Sequence, residues 1–464
     1  MVKRLSSVIL VGILLGFPVS LFSEGITLEQ VIQEVCTKSD SAKMMKESIV
    51  RSDAMVRENW AAVYPKLSFA TNTNYSSPFK KEESGSALTI PDSTPLTWGG
   101  LQGMIGGFAT PKASTTYNGA LSLSQPIFTF GKVGTAIKVA ATYNKSVQSA
   151  HVRNVQTLQL TALDMFYRTM LALESAHIAE KTLSRKNELY EYINGNFKLG
   201  SGVKAQLLMA RADAFSQSAI TIAAKRDAES AKMYLNSFLG RPLTDAWTID
   251  TSRIPESLQK NVLSVSDTTI QNTIEKRCDV QSLRLMAESS RGGAKIYQAM
   301  KYPSIYGNGS LGYTQIDSKG LMARKGAFDW SAGVSLNLLI FDGFQNSSKA
   351  AQLLSDARKL EIAEGGIKKA AEIEIRSAVS ECGAADSSLA ASQEMYSAAH
   401  EAFDLTNSNY KQGSGSLTDL QRVDEQLQLS EFTLLNTRYR QVRSRAALLV
   451  ALGKDIVKIN EEEQ

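Results

Sequence analysis

Side chains that usually carry covalent or acid–base chemistry are sparse and scattered in this chain of 464 residues. The three histidines, His151, His177 and His400, lie far apart, and none sits beside a plausible Ser or Cys nucleophile with its orienting acid. The three cysteines, Cys36, Cys278 and Cys382, are odd in number and widely spaced, which gives neither a disulfide framework nor metal-ligand spacing. No His-Glu-x-x-His, Walker A or Gly-x-Ser-x-Gly pattern occurs. The sequence reads as a non-enzyme with no cofactor and no metal. One spacing does carry electrostatics. Asp419 and Arg422 follow a glycine-containing turn and stand three residues apart, so on a helix they share a face and can pair.

That turn belongs to a long pattern present twice. Asn196-Phe197-Lys198-Leu199-Gly200-Ser201-Gly202 returns as Asn409-Tyr410-Lys411-Gln412-Gly413-Ser414-Gly415. Tyr64-Pro65 returns as Tyr302-Pro303, and Leu123 to Phe128 returns as Leu336 to Phe341. A period of roughly 200 residues exceeds the 20–50 of solenoid units and indicates a duplicated half-protein.

Each copy reads helix, strand pair, long helical hairpin. Thr27 to Val63 predicts one helix, opened by a Thr27/Gln30 capping box and closed by Pro65. Leu67, Phe69, Thr71, Thr73 and Tyr75 then alternate with polar residues, the period of a strand. Ser76 to Thr116 reads as a long loop, and alternation resumes at Tyr117. In the second copy, Ile305 to Tyr313 and Asp329 to Leu338 alternate around a loop over Gln315 to Ala327. Lys132 to Leu199 and Gln345 to Gln412 have almost no helix breakers and could each extend roughly 100 Å. Second helices follow over Lys204 to Leu239 and Leu417 to Leu452.

The ends and the charge narrow the class. Lys3, Arg4 and the apolar run Val8 to Phe17 form a signal peptide with cleavage after Ser23. No later stretch is long and apolar enough for a membrane helix. The net charge of +5 is small and no Lys/Arg cluster stands out, so nucleic-acid binding has no support. The expected organisation is a signal at 1–23, a first repeat at 24–240, a linker at 241–266, a second repeat at 267–453 and a charged tail at 454–464. Four strands cannot close a barrel, because even small single-chain bacterial barrels use about eight. Lipid tolerates no open sheet edge, so several chains must share one barrel.

Taken together, these features resemble the TolC-like outer-membrane efflux proteins, over nearly all of the mature chain. The resemblance is carried by the Tyr-Pro entries at Pro65 and Pro303, by the strand exits and by the helix turns. The exits are Gln125-Pro126-Ile127-Phe128-Thr129-Phe130-Gly131 and Leu339-Ile340-Phe341-Asp342-Gly343. The second turn runs from Tyr410 to Leu420. The resemblance implies a mixed α and β membrane protein. Its fold would be a trimeric α/β-barrel: a shared twelve-stranded outer-membrane β-barrel, four strands per chain, and a long periplasmic α-helical barrel. It implies a homotrimer in outer-membrane lipid, extending into the periplasm. Partners would be a periplasmic adaptor and an inner-membrane RND or ABC transporter, for efflux or type I secretion. A periplasmic coiled-coil adaptor or structural protein is the alternative reading, but an adaptor would carry single copies of its modules.

The resemblance also assigns residues. Tyr410 matches a gate tyrosine, with Phe197 its counterpart. Asp419 matches an acid that rings the periplasmic constriction. Gln206 is its uncharged first-repeat equivalent, and Arg422 stands where the family often has a second acid. Gly200, Gly202, Gly413 and Gly415 would supply positive backbone dihedrals at adaptor-docking tips. Pro65, Pro126, Pro303, Gly131 and Gly343 would mark helix–strand junctions. Tyr75, Tyr117, Phe128, Tyr313, Phe328 and Trp330 fall near strand ends, where aromatic belts meet the membrane interface. Each assignment has a plainer alternative: turn chemistry, a solvated or salt-bridged helix residue, aromatic packing, or ordinary strand composition.

Overall fold

In the computed structural model, residues 25–77, 113–249, 258, 266–318 and 324–458 are described. The expected signal, residues 78–112 and 319–323, part of the expected linker and the last six residues fall outside them. Among the described residues, fourteen elements follow in chain order. The first copy holds β1 (Gly25–Ile26), α1 (Leu28–Lys38), α2 (Asp40–Ala61), β2 (Lys66–Ser76), β3 (Ser114–Phe128), α3 (Lys132–Lys198) and α4 (Lys204–Leu239). After β4 (Thr248–Ile249) come α5 (Asp267–Lys276), α6 (Cys278–Ala299), β5 (Ser304–Ser318), β6 (Arg324–Asn337), α7 (Gln345–Lys411) and α8 (Leu417–Ala451). The duplication is close: α2 and α6 have 22 residues each, and α3 and α7 have 67 each.

The single helix expected over Thr27 to Val63 is two. The capping box forms: Gln30 N–H donates to Thr27 Oγ1 at 3.3 Å and Thr27 N–H to Gln30 Oε1 at 2.9 Å. But Ser39 is extended, with ψ 152°. Its buried Oγ accepts from Ala42 N–H at 3.1 Å and starts α2. Arg277, with ψ 137°, makes the same break between α5 and α6. Neither break has a proline or glycine to announce it.

The chain divides into two compact units. One comprises residues 1–45, 152–277 and 369–464, the other 46–151 and 278–368. The first unit holds an apolar core in which Leu28, Val31, Ile32 and Val35 of α1 pack with Leu163, Phe166, Leu235 and Trp247. β1 pairs in parallel with β4 beside it. Here the chain end is clamped by Gln159, which is fully buried. Its Oε1 accepts from Ile456 N–H at 2.7 Å, and its Nε2 donates to Val457 O at 3.0 Å. Arg153 and Arg277 cap α8 by donating to Val450 O at 2.6 Å and Ala451 O at 2.9 Å, and both pair with Glu374.

The second unit holds one antiparallel sheet in the order β2-β3-β5-β6, so the two strand pairs join through β3 and β5. The strands outrun their expected limits. β3 starts at Ser114, before Tyr117, while β5 and β6 take up most of the expected Gln315–Ala327 loop. Pro126 lies inside β3, beside a register irregularity, and not at the junction. It is tolerated because β2 pairing stops at Ser124, leaving that end of β3 a neighbour on one side only. The helices of this unit meet through small polar residues. Ser282 Oγ donates to Ser146 O at 2.9 Å, and Asn144 Nδ2 to Ser52 Oγ at 3.0 Å and Asp53 Oδ1 at 2.6 Å.

The Gln159 clamp is testable. Gln159→Ala removes the partner of the buried Ile456 N–H and of the part-buried Val457 N–H and carbonyl, and should destabilise the protein by about 2 kcal/mol. A lowered thermal midpoint by circular dichroism checks this. An unchanged midpoint would mean water replaces the amide.

Candidate functional site

The two helix–helix turns are built alike. Gly200 (φ 83°) and Gly413 (φ 80°) are left-handed. Ser201 N–H donates to Asn196 O and Ser414 N–H to Asn409 O, each at 3.0 Å, closing the last helical turn. Gly202 and Gly415 do not have the positive φ expected of them. They are required for space: a Cβ at Gly202 would lie 2.6 Å from Phe197 N, and one at Gly415 would lie 2.8 Å from Tyr410 N. The chain folds back onto its own helix end, and only hydrogen fits.

Just behind the turns, Ile193, Ala210 and Leu417 form a small buried cluster, with Tyr192, Leu207 and Tyr410 packed on it. Tyr410 meets Tyr192 edge-on at 6.1 Å, and Tyr192 Oη donates to Lys411 O at 3.1 Å. Burial, with Tyr192 beside it, pushes the Tyr410 phenol above its ordinary range, so it is neutral at physiological pH. Phe197, its counterpart, is exposed, and Gln206 is half-buried. The Asp419–Arg422 pair forms at 3.4 Å, with both side chains largely in solvent. A surface pair of this kind contributes about 0–1 kcal/mol.

The stronger charge pair was not foreseen from the sequence. Arg185 Nε donates to Asp424 Oδ1 at 2.7 Å, and its Nη2 donates to Thr182 Oγ1 at 3.0 Å. Its guanidinium stands 5.5 Å from the Phe403 ring centroid. Asp424 is buried, in line with Leu417, Leu420 and Leu427 on the inner face of α8. An acid on an apolar stripe is the signal that could have pointed to it. Gln421 also donates to Asp213, tying α8 to α4. These contacts enclose a groove of about 230 Å³ lined by Arg185, Tyr192, Asp213, Gln421 and Asp424. One hairpin, α3–α4, is thereby latched to the other, α7–α8.

In the sheet, register sorts the side chains cleanly. Leu67, Phe69 and Tyr75 of β2, Tyr117, Leu121 and Leu123 of β3, Leu311 and Tyr313 of β5, and Phe328, Trp330, Val334 and Leu336 of β6 share one face. The other face is polar: Ser68, Ser122, Ser310 and Ser331 form one row across all four strands, and Asn72, Asn118 and Thr314 another. Tyr75, Tyr117, Tyr313, Phe328 and Trp330 gather at the loop end of the apolar face. Phe128 does not join them. It lies at the helix end, with Phe130 at 4.5 Å.

Beyond the strands, Thr129 and Asp342 hold equivalent positions. Val133 N–H donates to Thr129 Oγ1 at 3.4 Å and Asn346 N–H to Asp342 Oδ2 at 2.8 Å. Two left-handed residues intervene before each long helix: Phe130 and Gly131, then Gly343 and Phe344. Gly131 and Gly343 thus sit at the junctions as expected, but in opposite order with a phenylalanine. Pro65 and Pro303 each directly precede the first residue of β2 and β5.

Among the described residues, no cluster of His, Cys, Asp and Glu could hold a metal ion, and no helix is long and apolar enough to cross a membrane. Burial, with the Asp455 charge nearby, pushes the Cys36 thiol up to about 12, consistent with a packing role.

The family profile described as outer membrane efflux protein matches residues 32–241 and 269–454. No curated protein matches. Among solved structures, the outer membrane protein VceC from Vibrio cholerae is similar at 17% identity with a TM-score of 0.70, over 93% of this chain and 97% of its own. The Campylobacter jejuni CmeC outer membrane channel is similar at 15% identity and TM-score 0.72, over 92% and 85%. The open-state Neisseria gonorrhoeae MtrE outer membrane channel is similar at 18% identity and TM-score 0.70, over 93% and 90%. At these identities what is shared is the fold.

Two outcomes follow from the turn geometry and the latch. Gly202→Ala and Gly415→Ala should each lower stability by about 1–3 kcal/mol, whereas Gly134→Ala, whose Cβ meets open space, should be neutral or slightly stabilising. Thermal melts of the three variants check the order. Arg185→Ala leaves the buried Asp424 carboxylate unpaired and should cost about 3 kcal/mol, and adding Asp424→Leu should recover most of it. Equal losses in the single and double variants would remove the pair from the latch.

Proposed function

The chain belongs to the outer membrane efflux protein family, and we propose that it is the outer-membrane duct of a tripartite efflux pump or type I secretion system. It sits in the cell outer membrane and extends into the periplasm. The observation that carries the duct reading is the sheet: four strands, apolar on one face and Ser/Asn-lined on the other. Among the described residues, β2 and β6 each pair on one side only. Such a sheet suits a barrel wall with lipid outside and water inside, provided other copies complete it. Three copies give twelve strands. The long hairpins would then line a periplasmic tunnel, through which substrates delivered by an RND or ABC transporter move passively. The turns at Gly200–Gly202 and Gly413–Gly415 would dock on the adaptor.

At the tunnel end, threefold symmetry would bring three Asp419 carboxylates together with three Arg422 guanidinia. The arginines offset the charge, so this constriction would discriminate weakly between ions. Tyr410, held by Tyr192, would serve as a hinge contact more than as a plug.

Two measurements test the reading. The protein should fractionate with outer membranes and run as a trimer in unheated detergent gels, and a soluble monomer would overturn the duct. In planar bilayers, Arg422→Ala should raise cation selectivity by unmasking the carboxylates, and Asp419→Ala should shift it towards anions. Selectivity and conductance unchanged in both variants would place the pair away from the constriction.

A further inference from the structure

We propose that β6 of one copy pairs with β2 of the next in the register that β3 and β5 keep within the chain, and that Leu338–Phe341 join β6 when it does so. The inference rests on the reading of the sheet as a barrel wall, and starts from the duplication. Tyr64-Pro65-Lys66 matches Tyr302-Pro303-Ser304, and Leu123-Ser124 matches Leu336-Asn337. Lys66 pairs with Ser124, and their equivalents Ser304 and Asn337 pair with each other. The two strand pairs therefore share one register to the residue.

The seam between the pairs supplies the rule for the seam between copies. Ser122 of β3 stands opposite Ser310 of β5. Ser335 is the equivalent of Ser122, and Asn72 the equivalent of Ser310. Repeating the step sets Ser335 opposite Asn72 of the next copy, Gly333 opposite Asn74 and Ser331 opposite Ser76. All six positions lie on the polar face, so the wet and apolar sides run on across the seam. A slip of one residue would set Asn72 against Leu336 and mix the two faces. A contact of this head-to-tail kind, repeated from copy to copy, can close a ring.

The end of β6 points to the same partner. β2 pairing stops at Ser124, yet β3 runs on to Phe128, because Gln125, Pro126 and Phe128 have β5 beside them at Gly307, Tyr306 and Ile305. β6 stops at Asn337, the equivalent of Ser124. The equivalents of Gln125–Phe128 are Leu338–Phe341. Among the described residues no strand lies beside them, and Ile340 is 90% exposed and Phe341 70%. In the repeated register Leu338, Leu339 and Phe341 meet Phe69, Ser68 and Leu67 of the next copy, and every residue of β2 is exposed in the single chain. A second copy is favoured over a foreign strand because the chain already builds this seam once, between β3 and β5, from the equivalent residues. Its own β2 and β6 cannot serve each other, since four strands do not close.

The test is disulfide formation in the full-length protein in its membrane under an added oxidant, with the parent and its three natural cysteines as the blank. Residues directly opposite on antiparallel strands have Cα atoms about 4.5–5.5 Å apart, within disulfide reach, and a four-residue slip adds about 13 Å. β2 and β6 of one chain stand three strand spacings apart, about 14 Å, so a link between them must join copies. Asn72→Cys with Ser335→Cys, and Ser68→Cys with Leu339→Cys, should each convert the monomer band of a denaturing gel into covalent dimer and trimer, reversed by reductant. Asn72→Cys with Ser331→Cys should stay monomeric. Asn74→Cys with Gly333→Cys reads the same register should the first pair fail to assemble, since a Cβ at Gly333 meets open space. Linkage through position 331 in place of 335 would overturn the register. Linkage of 72 to 335 with none of 68 to 339 would overturn the lengthening of β6. A trimer in unheated gels with no linkage in any variant would overturn the seam and leave the shared barrel standing. Absence of both trimer and linkage would overturn the barrel reading together with the seam.

Discussion

Hydrocarbon offers no water to complete a backbone hydrogen bond, so a membrane-spanning sheet has to leave no open edge. This constraint organises the molecule. Each repeat supplies one strand pair, and β3–β5 pairing fuses the two pairs into a sheet of four. That number is too small to curl closed, and among the described residues β2 and β6 pair on one side only, which leaves their outer edges suited to another chain. The rest of each repeat answers the same requirement. Sheet faces divided between Ser/Asn rows and Leu/Phe/Trp rows make sense only if one side is wet and the other is not. In the proposed barrel a duplicated strand–hairpin unit would be a stave, and its stability as a membrane object would belong to the assembly rather than to one chain.

Duplication places equivalent backbone in both halves, which makes the departures informative. The turns match hydrogen bond for hydrogen bond, from Asn196 and Asn409 through Ser201 and Ser414. Helices α3 and α7 match to the residue. Against that agreement, Gln206 faces Asp419 as the equivalent residue, and glycine and phenylalanine exchange places at the strand exits. The backbone at those exits demands two left-handed residues before a long helix can start. Only one of the two has to be glycine for the turn to form, so the order is free to differ between copies.

Local signals in the sequence carried most of the fold. The capping box at Thr27, the alternation in β2 and β6, and the unbroken helical stretches from Lys132 and Gln345 depend on neighbouring residues alone, and each has a period or a spacing that can be counted. What failed did so where the deciding contact is distant or the residue ambiguous. Ser39 and Arg277 break their helices without a breaker, because serine and arginine are tolerated within helices and only the surrounding burial selects the extended conformation. Gly202 and Gly415 were read for dihedral freedom, whereas their role is clearance from a backbone five residues earlier. The Arg185–Asp424 pair joins residues of different repeats, and no local pattern can match a guanidinium to its carboxylate across such a separation.

That buried pair also reorders the importance of the charges near the turns. Asp419 and Arg422 share a helix face in solvent, where salt screens them and side-chain entropy opposes them. Their attraction is local to α8 and cannot hold one hairpin against the other. Arg185 and Asp424 come from separate hairpins and are largely withdrawn from water, so separating them would strand a charge in an apolar stripe. Gln421 with Asp213, and Tyr410 with Tyr192, lie on the same seam. Any movement of α7–α8 away from α3–α4 within one chain must therefore break the Arg185 contacts, whereas the Asp419–Arg422 pair travels with α8. Asp419 and Asp424, five residues apart, lie on roughly opposite sides of α8, so in the proposed duct the residue presented to a pore and the residue that holds the hairpins together would be different ones.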